Sequence, residues 1–314
     1  MASHIIILNN RTFTHTMTSE TRVFCVAEHY FKVFFTDNRI NNIGLIRSCM
    51  PFMVQESPEP FLAEITVDDN LQPRPKAERQ RIRDFEGGNG DTVVDLLPDG
   101  GYQFIYKDIE GNECALLISD KGFRHVTCAL KGNYDMRCFG LTNTIMLTFA
   151  MAASYKQTVM IHASLVRQNG YGYAFCAASG TGKSTQVSMW LRYLPGCDLM
   201  NDDNPCIRII DGQPYIFGTP WSGKTPCYRN TKARLGAMTR IDRAPANSVD
   251  KLSPVEGFTS ILPSCSNMKW DIDINRNICN TVVKIVETTG AYILHCLPNR
   301  EAAEVCNAAI AVRA

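Results

Sequence analysis

A short segment, Ala-Ala-Ser-Gly-Thr-Gly-Lys-Ser-Thr at 177–185, has the residue types of a phosphate-binding turn. The phosphate-binding loop pattern is a glycine, any four residues, and then Gly-Lys-Ser/Thr, and this chain departs from it only at Ala177. Glycines let backbone N–H groups surround an anion, and a following helix points its positive end at the same place. Lys183 would neutralise the β- and γ-phosphates of ATP, and the Ser184 hydroxyl would bind Mg²⁺. The predicted ATP contacts are Ser179, Gly180, Thr181, Gly182, Lys183, Ser184 and Thr185.

The flanking residues have the context that such a turn needs. The apolar run Tyr171 to Cys176 predicts a strand before it, and the amphipathic pattern from Lys183 to Tyr193 predicts a helix after it. An ordinary glycine-rich connection between a strand and a helix is the alternative. That alternative does not require a lysine followed by a serine at these positions.

Two adjacent carboxylates follow the next predicted strand, Cys197 to Met200. Ligands of open α/β sheets bind beyond the carboxyl ends of the strands, so Asp202 and Asp203 are expected beside the bound Mg²⁺. One carboxylate can hold the metal while the other accepts a proton. Taken without the glycine-rich turn, the pair would be read as a polar cap on a turn that leads to Asn204 and Pro205.

A histidine lies in the strand predicted from Thr158 to Leu165, just before the strand that leads into the turn. His162 in an apolar strand is, by itself, more often a hydrogen-bonded core residue. If the two strands are neighbours, however, its imidazole would lie near the γ-phosphate, where it could assist a base or hold a metal.

Composition excludes several classes of protein. The chain has 314 residues, 45% of them hydrophobic, which suits a globular protein with a buried core. Its 32 basic and 31 acidic residues give a formal charge of +1, so we expect neither nucleic acid nor a membrane as partner. Its 13 cysteines contain no Cys-x-x-Cys, which predicts no zinc ribbon and a reducing compartment. With no recognisable signal peptide or membrane-spanning run, a cytoplasmic location is expected.

The pattern of elements changes along the chain. The first part predicts short strands and a meander, with a charged, glycine-containing loop at about 72–90. A helix is predicted over Phe139 to Ser154, and after it strands and helices alternate. A hairpin is predicted with its turn at Asp211 and Gly212, and a closing helix follows at about 300–312. The expected fold class is therefore α/β, with a smaller β-rich N-terminal domain at 1–135 and an ATP-binding domain at 136–314.

This combination of residues resembles the HPr kinase and phosphoenolpyruvate carboxykinase superfamily. The resemblance rests on the histidine strand, the glycine-rich turn and the pair Asp202-Asp203, and it covers about 139–314. The segment Gly-Thr-Pro-Trp-Ser-Gly-Lys, 218–224, is similar to one in HPr-kinase-like proteins. Two features depart from HPr kinase itself: Thr185 stands where an acidic residue is usual, and the C-terminal signature segment of that enzyme is missing.

The resemblance implies a PEPCK-like P-loop kinase domain, a mixed sheet with flanking helices, that transfers phosphate from ATP to a hydroxyl, usually of a serine. The acceptor would be a protein, a peptide or a small molecule other than HPr, and a homo-oligomer is possible within the family. Lys183 and Ser184 correspond to the ligands of ATP and Mg²⁺. Asp202 corresponds to the base or a metal ligand, Asp203 to its partner, and His162 to the residue that tunes them. Lys224 is a weaker candidate for a phosphate contact.

Two other functions are compatible with the same residues. A regulatory protein could bind nucleotide with little turnover and recognise a peptide at a strand edge of the N-terminal region. A carboxykinase would also use a histidine before the turn as a metal ligand. The chain is much shorter than that family, and neither the metal-binding lysine nor the substrate-binding arginines can be placed in it.

Overall fold

Two large mixed β-sheets organise the chain, which we describe from a computed structural model. The structure describes residues 18–56, 59–87, 90–178, 180–223 and 225–313. Within these ranges the first sheet contains nine strands. They are Glu20–Val26 (β1), His29–Phe35 (β2), Met53–Val54 (β3), Ala63–Val67 (β4), Gln80–Gly87 (β5), Gly90–Leu96 (β6), Tyr102–Lys107 (β7), Glu113–Ser119 (β8) and His125–Leu130 (β9).

The first sheet has the spatial order β3-β1-β2-β4-β9-β8-β7-β6-β5. The strands of the expected meander are neighbours, and only the pairs β2–β4 and β4–β9 are parallel. The prediction of a loop at about 72–90 is wrong over much of that range, because strand β5 forms the edge of the sheet there. Arg79 and Arg81 pair with the buried carboxylate of Asp95, at 2.7 and 2.6 Å.

The second sheet also contains nine strands in the described part of the chain, and five α-helices accompany the two sheets. The strands are Thr158–Met160 (β10), Ala163–Gln168 (β11), Tyr171–Cys176 (β12), Cys197–Asp203 (β13), Cys206–Ile210 (β14), Gln213–Phe217 (β15), Lys232–Arg243 (β16), Ser248–Lys251 (β17) and Gly290–Cys296 (β18). The helices are Tyr134–Ser154 (α1), Lys183–Tyr193 (α2), Pro254–Ile261 (α3), Ile272–Thr288 (α4) and Arg300–Ile310 (α5). Short 3₁₀ turns occupy Ile43–Phe52, Lys76–Glu78 and Leu262–Ser264.

Most of the predicted elements of the second half are confirmed. Strand β12 and helix α2 have the predicted bounds, and the hairpin β14–β15 turns at Asp211 and Gly212. Helix α1 begins five residues earlier than predicted, because the side chain of Asn133 caps it by accepting a hydrogen bond from the Met136 amide. Strand β16, in the interior of the sheet, was missed altogether.

Two predicted strands have different bounds in the structure. The strand predicted over 158–165 is broken, since β10 pairs with β14 whereas β11 pairs with β12 and β13. Between β10 and β11, Ile161 bridges Cys265 and the His162 amide donates to the Ser264 carbonyl. The strand predicted over 197–200 continues to Asp203, so the two aspartates are its last residues.

Alternating residues on the strands of the second sheet belong to two hydrophobic clusters. Leu165, Ala174 and Met238 pack in a core shared with α1, α4 and the first sheet. Their neighbours Val166, Phe175 and Ala237 pack in a second core with α2 and α5. Because successive residues of a strand point to opposite faces, helices cover the second sheet on both sides.

The first core is continuous from the first sheet to the second, and α1 lies between them. This helix packs on β4, β8 and β9 and also on β10. The boundary predicted at 135/136 falls at the start of α1, and the division into two domains stays a prediction. No helix in the described ranges is both long and apolar enough to cross a membrane.

The hairpin formed by β1 and β2 contacts the second sheet directly. Arg208 on β14 donates to the carbonyls of Ala27 and Glu28 at its tip, and Lys232 on β16 pairs with the Glu28 carboxylate at 2.8 Å. His29, which is buried, shares a hydrogen bond of 2.8 Å with the Thr158 hydroxyl on β10. The two sheets therefore interact through polar contacts as well as through the common core.

Burial makes His29 a source of acid sensitivity. Desolvation, followed by the charges of Arg208 and Lys156, lowers the pKa of His29 from 6.5 to about 3. Below about pH 6.5, His29 therefore binds a proton in the unfolded chain but not in the folded protein. The free energy of unfolding consequently falls as the pH decreases. At about pH 4.5 this amounts to a loss on the order of 2–3 kcal/mol.

We predict that His29→Gln removes this part of the acid sensitivity while it retains a side chain able to bond Thr158. Urea unfolding at neutral pH and at about pH 4.5 measures the change, with His125→Gln, at an exposed strand start, as the matched control. The control should lose as much stability on acidification as the unmodified protein. An equal loss in His29→Gln would contradict the assignment.

Candidate functional site

Four strand ends meet at one edge of the second sheet. Strands β12 and β13 both pair antiparallel with β11, so they run parallel to each other on either side of it. Strand β16 is parallel to β12, and β18 is parallel to β16. The carboxyl ends of β12, β13, β16 and β18 therefore lie at the edge where β11 begins, and the glycine-rich turn, 177–182, follows β12 there.

Three of the predicted residues form a hydrogen-bonded chain at this edge. His162 lies immediately before β11, and its Nε2 is 2.8 Å from the Lys183 ammonium at the start of α2. Its Nδ1 is 2.9 Å from Asp203 Oδ1 at the end of β13. Lys183 also donates to the carbonyl of Ala177, at 3.2 Å. The sequence expectation that the histidine strand neighbours the strand before the turn is confirmed by the pairing of β11 with β12.

The two contacts of His162 define its tautomer. An ammonium has hydrogens to donate and no lone pair, so Nε2 must accept from Lys183. A carboxylate accepts only, so Nδ1 carries the hydrogen and donates to Asp203. The imidazole thus connects a cation that is nearly buried to a carboxylate that is partly open to solvent.

Asp203 remains ionised at neutral pH. Burial raises the pKa of its carboxyl, but the hydrogen bond from His162, the positive charge of Lys183 and the amide of Asn204 outweigh it, so the pKa lies below its ordinary value. Its backbone has a φ of 147°, in a region that side chains rarely adopt. The Cβ of Asp203 is packed close to Gly223, where an added Cβ would come within 3.2 Å of it.

Asp202 is held differently, inside the protein. Its side chain is 5% exposed and accepts hydrogen bonds from two serine hydroxyls, Ser164 on β11 and, at 3.0 Å, Ser184 on α2. The register explains the first contact, because Ser164 and Asp202 are directly opposite each other in the β11–β13 pair. Asp202 thereby ties the start of α2 to the sheet, and the amide of Gly223 donates to its carbonyl.

The described glycines of the turn adopt conformations that favour glycine. Gly180 and Gly182 have φ values of 76° and 127°, and an added Cβ at either would meet nothing within 4 Å. The need for glycine therefore comes from the backbone and not from crowding. Arg243, at the end of β16, donates to the carbonyls of Gly180 and Thr181, at 2.5 and 3.2 Å.

A cavity of about 440 Å³ lies against the turn. The predicted residues Gly180, Thr181, Gly182 and Thr185 form one side of it. The other side comes from two strand ends. It includes Ile241 and Arg243 at the end of β16, and Cys296 at the end of β18 with Leu297 and Pro298 after it. Cys296 is half-buried and lines this cavity. The volume falls in the usual range for small-molecule sites.

Most of the predicted site residues thus meet at one place. His162, Lys183 and Asp203 form one connected group, Ser184 and Asp202 form a second, and the turn residues line the adjacent cavity. The predicted contacts Ser179 and Lys224 lie outside the described residues.

Two residues of the site were missed from the sequence. Ser164 follows His162 by two positions, but its partner depends on strand register, which the sequence does not reveal. Arg243 ends a strand that was not predicted. The alternation of small or apolar residues with charged ones over Lys232 to Arg243 is the signal that could have revealed it.

The donor set at the turn consists of oxygen atoms, which suit hard cations. Ser184 and Asp202 present a hydroxyl and a carboxylate, the hard oxygen ligands that Mg²⁺ prefers. Among the described residues, no three histidine, cysteine or acidic side chains are grouped so as to hold a metal by themselves. A magnesium ion held by one or two protein oxygens together with phosphates and water is compatible with this arrangement.

Comparisons with known proteins show weak structural similarity and no match in sequence. No protein-family model matches the chain, and no curated protein matches it in sequence. Among solved structures, it is similar to the HPr(Ser) kinase/phosphatase from Coxiella burnetii, with a TM-score of 0.28 and 10% identity over 48% of this chain and 91% of that chain. A similarity at this level carries no argument about activity.

We predict that the hydroxyl of Ser164 stabilises the fold through Asp202. Ser164→Ala removes a donor to a buried carboxylate, which should lower the free energy of unfolding by about 1.5–3 kcal/mol. Urea unfolding measures this loss. Ser188→Ala is the matched control, because that hydroxyl is exposed and donates only to a carbonyl of its own helix. Equal stability of the Ser164 variant and the unmodified protein would show that the buried contact is dispensable.

Proposed function

We propose that this protein is an ATP-dependent phosphotransferase, of HPr kinase type, that transfers the γ-phosphate to a hydroxyl group. The observation that carries the proposal is the chain Lys183–His162–Asp203 beside the glycine-rich turn. It brings together a cation for the phosphate and a carboxylate for the proton of the acceptor. In a purely structural turn, a nearly buried lysine would have no reason to share a hydrogen bond with a histidine.

The glycine-rich turn would hold the phosphates of ATP. The backbone N–H groups of the turn and of the first turn of α2 are the donors, and the helix dipole favours the negative charge. Among the described residues, the acceptors of Lys183 are the imidazole of His162 and the carbonyl of Ala177, and neither carries a negative charge. A phosphate oxygen is a stronger partner for an ammonium, so ATP would draw Lys183 from the imidazole.

Asp203 is the better candidate for the base, which reverses the order of roles favoured from the sequence. It is partly open to solvent and ionised, and His162 orients its carboxylate. The acceptor oxygen would attack the γ-phosphorus while its proton passes to Asp203. The bond to the β-γ bridging oxygen breaks, and ADP leaves with that electron pair. Lys183 would stabilise the charge that develops on the phosphate oxygens.

Asp202 is better suited to hold Mg²⁺ together with Ser184. Its burial and its two serine donors leave little room for a substrate hydroxyl. Magnesium, when bound, would neutralise phosphate charge. In this proposal Asp202 would position the metal ion, and Asp203 would serve the acceptor.

The acceptor is a hydroxyl of a protein, a peptide or a small molecule. The near-neutral net charge of +1 gives no electrostatic reason to expect nucleic acid or an anionic membrane surface as a partner. A cytoplasmic location, expected from the sequence pattern, and a homo-oligomeric state, implied by the resemblance, belong to the same proposal. Labelled ATP added to cell extract and to isolated metabolites would show which species gains phosphate.

We predict that Lys183→Ala abolishes tight binding of ATP. The phosphates lose their main cationic partner, so calorimetry should show an affinity at least ~tenfold weaker, which corresponds to about 1.4 kcal/mol. The exposed Lys269→Ala is the matched control and should bind as the unmodified protein does. Unchanged affinity in the Lys183 variant would rule out the turn as the phosphate site.

We predict that substitution of the two aspartates changes the magnesium dependence of the reaction in different ways. Asp203→Asn should lower kcat for phosphate transfer or slow ATP hydrolysis by about 10²–10⁴ at every magnesium concentration, because the base is lost. Asp202→Asn should instead raise the magnesium concentration needed for half-maximal rate, by about 10–100-fold. Asp211→Asn, at the tip of the β14–β15 hairpin, is the control. The opposite pattern would exchange the two roles.

The same measurements separate catalysis from regulation. A nucleotide-binding regulatory protein would bind ATP through Lys183 but would transfer no phosphate to any acceptor, and Asp203→Asn would then leave every measured property unchanged. Tight ATP binding without turnover would therefore favour that alternative over the transferase.

A further inference from the structure

A second cavity, of about 600 Å³, lies between the β1–β2 hairpin and the carboxyl end of α1. We name it the hairpin pocket. Its other walls come from the residues before β4, from the β8–β9 turn and from the start of α4. The described residues that line it are all distinct from those of the site at the glycine-rich turn. Its volume is within the usual range for small-molecule sites.

The inner surface of the hairpin pocket is mostly apolar. Leu62, Ala152 and His29 are buried residues of its wall, and Phe61 and Tyr155 add aromatic surface. His29 presents a neutral ring here, because its pKa is lowered to about 3 by burial and by the nearby cations. An apolar or aromatic group would therefore be accommodated without burying a charge.

Three exposed cations, Lys121, Arg124 and Lys156, stand at the mouth of the pocket. Lys121 is already paired with Asp273 at 2.9 Å, and Glu28, the other acidic residue of the lining, is paired with Lys232. Among the described residues, no carboxylate is within salt-bridge distance of Arg124 or Lys156. With three cations and two acids in the lining, one negative charge would balance the pocket.

We propose that the hairpin pocket binds a small organic carboxylate with an apolar or aromatic body. The body would lie against Leu62, Ala152 and Phe61, and the carboxylate would meet Arg124 and Lys156 at the mouth. A guanidinium suits this group because its N–H donors match the two oxygens of a carboxylate. The pocket is apolar inside and basic at the opening, which favours a ligand with an apolar body and an anionic end.

The pocket is also connected to the candidate active site through β10. His29, in its wall, contacts Thr158 at the start of β10, and His162 follows the end of that strand. Thr158 and His162 are four positions apart, which is roughly 13 Å at the usual rise of a strand. The pocket is thus a separate site, and the proposal does not depend on the proposed phosphate transfer.

A matched series of indole compounds tests the charge preference by calorimetry. Indole-3-acetate carries the carboxylate, indole-3-acetamide is its neutral analogue, and tryptamine is a cation of similar size. We expect the acetate to bind at least ~tenfold more tightly than the amide, which corresponds to about 1.4 kcal/mol, and tryptamine to bind more weakly still. Equal binding of the acetate and the amide, or no binding of the acetate at millimolar concentration, would overturn the proposal.

Variants of the chain locate the binding. Arg124→Gln together with Lys156→Gln should abolish the preference for the acetate, and Arg47→Gln, an exposed arginine outside the pocket, should retain it. Lys183→Ala should also bind the acetate normally, because it alters only the glycine-rich turn. Loss of acetate binding in Lys183→Ala would assign the probe to the phosphate site and refute a separate pocket, whatever the outcome for ATP transfer.

Discussion

The antiparallel pairing of β11 with both β12 and β13 is the constraint on which the candidate site depends. Strand β11 lies between β12 and β13, which run in the same direction. The carboxyl ends of β12 and β13 therefore both lie beside the first residues of β11. The glycine-rich turn, the two aspartates and His162 therefore meet at one edge. A shift of β13 by one residue would turn Asp202 to the other face of the sheet and remove it from Ser164 and Ser184.

The two aspartates differ in chemistry because they are adjacent on a strand. Asp202 faces the serines and is buried, whereas Asp203 contacts the imidazole and is partly open to solvent. Alternation alone would send neighbouring side chains to opposite faces. The unusual backbone of Asp203 and the close packing of Gly223 bring its carboxylate back to the same edge. Two identical residues that are adjacent in sequence thus lie in different surroundings because of their local geometry.

The continuous hydrophobic core connects the first sheet with the second sheet, at whose edge the candidate site lies. Helix α1 packs on both sheets, and β10, which it contacts, leads directly to His162. The polar contacts of the β1–β2 hairpin with Arg208, Lys232 and Thr158 reinforce that relation. The hairpin pocket occurs where these elements converge, which places a potential ligand in contact with the first sheet and with α1 at the same time.

Local patterns in the sequence determined much of the second half. The bounds of β12 and α2, the hairpin at Asp211 and Gly212, and the identity of the turn residues follow from short-range propensity and spacing, which depend only on neighbours in the chain. The break between β10 and β11 and the strand β16 did not follow, because each depends on partners distant in sequence. The same reason applies to Ser164 and Arg243. The edge strand β5 pairs with its chain neighbour β6, and its charged residues hid the strand pattern. The sequence by itself supplied the chemical groups of the site, and only the tertiary structure decided which of them touch, since strand register and order depend on long-range pairing.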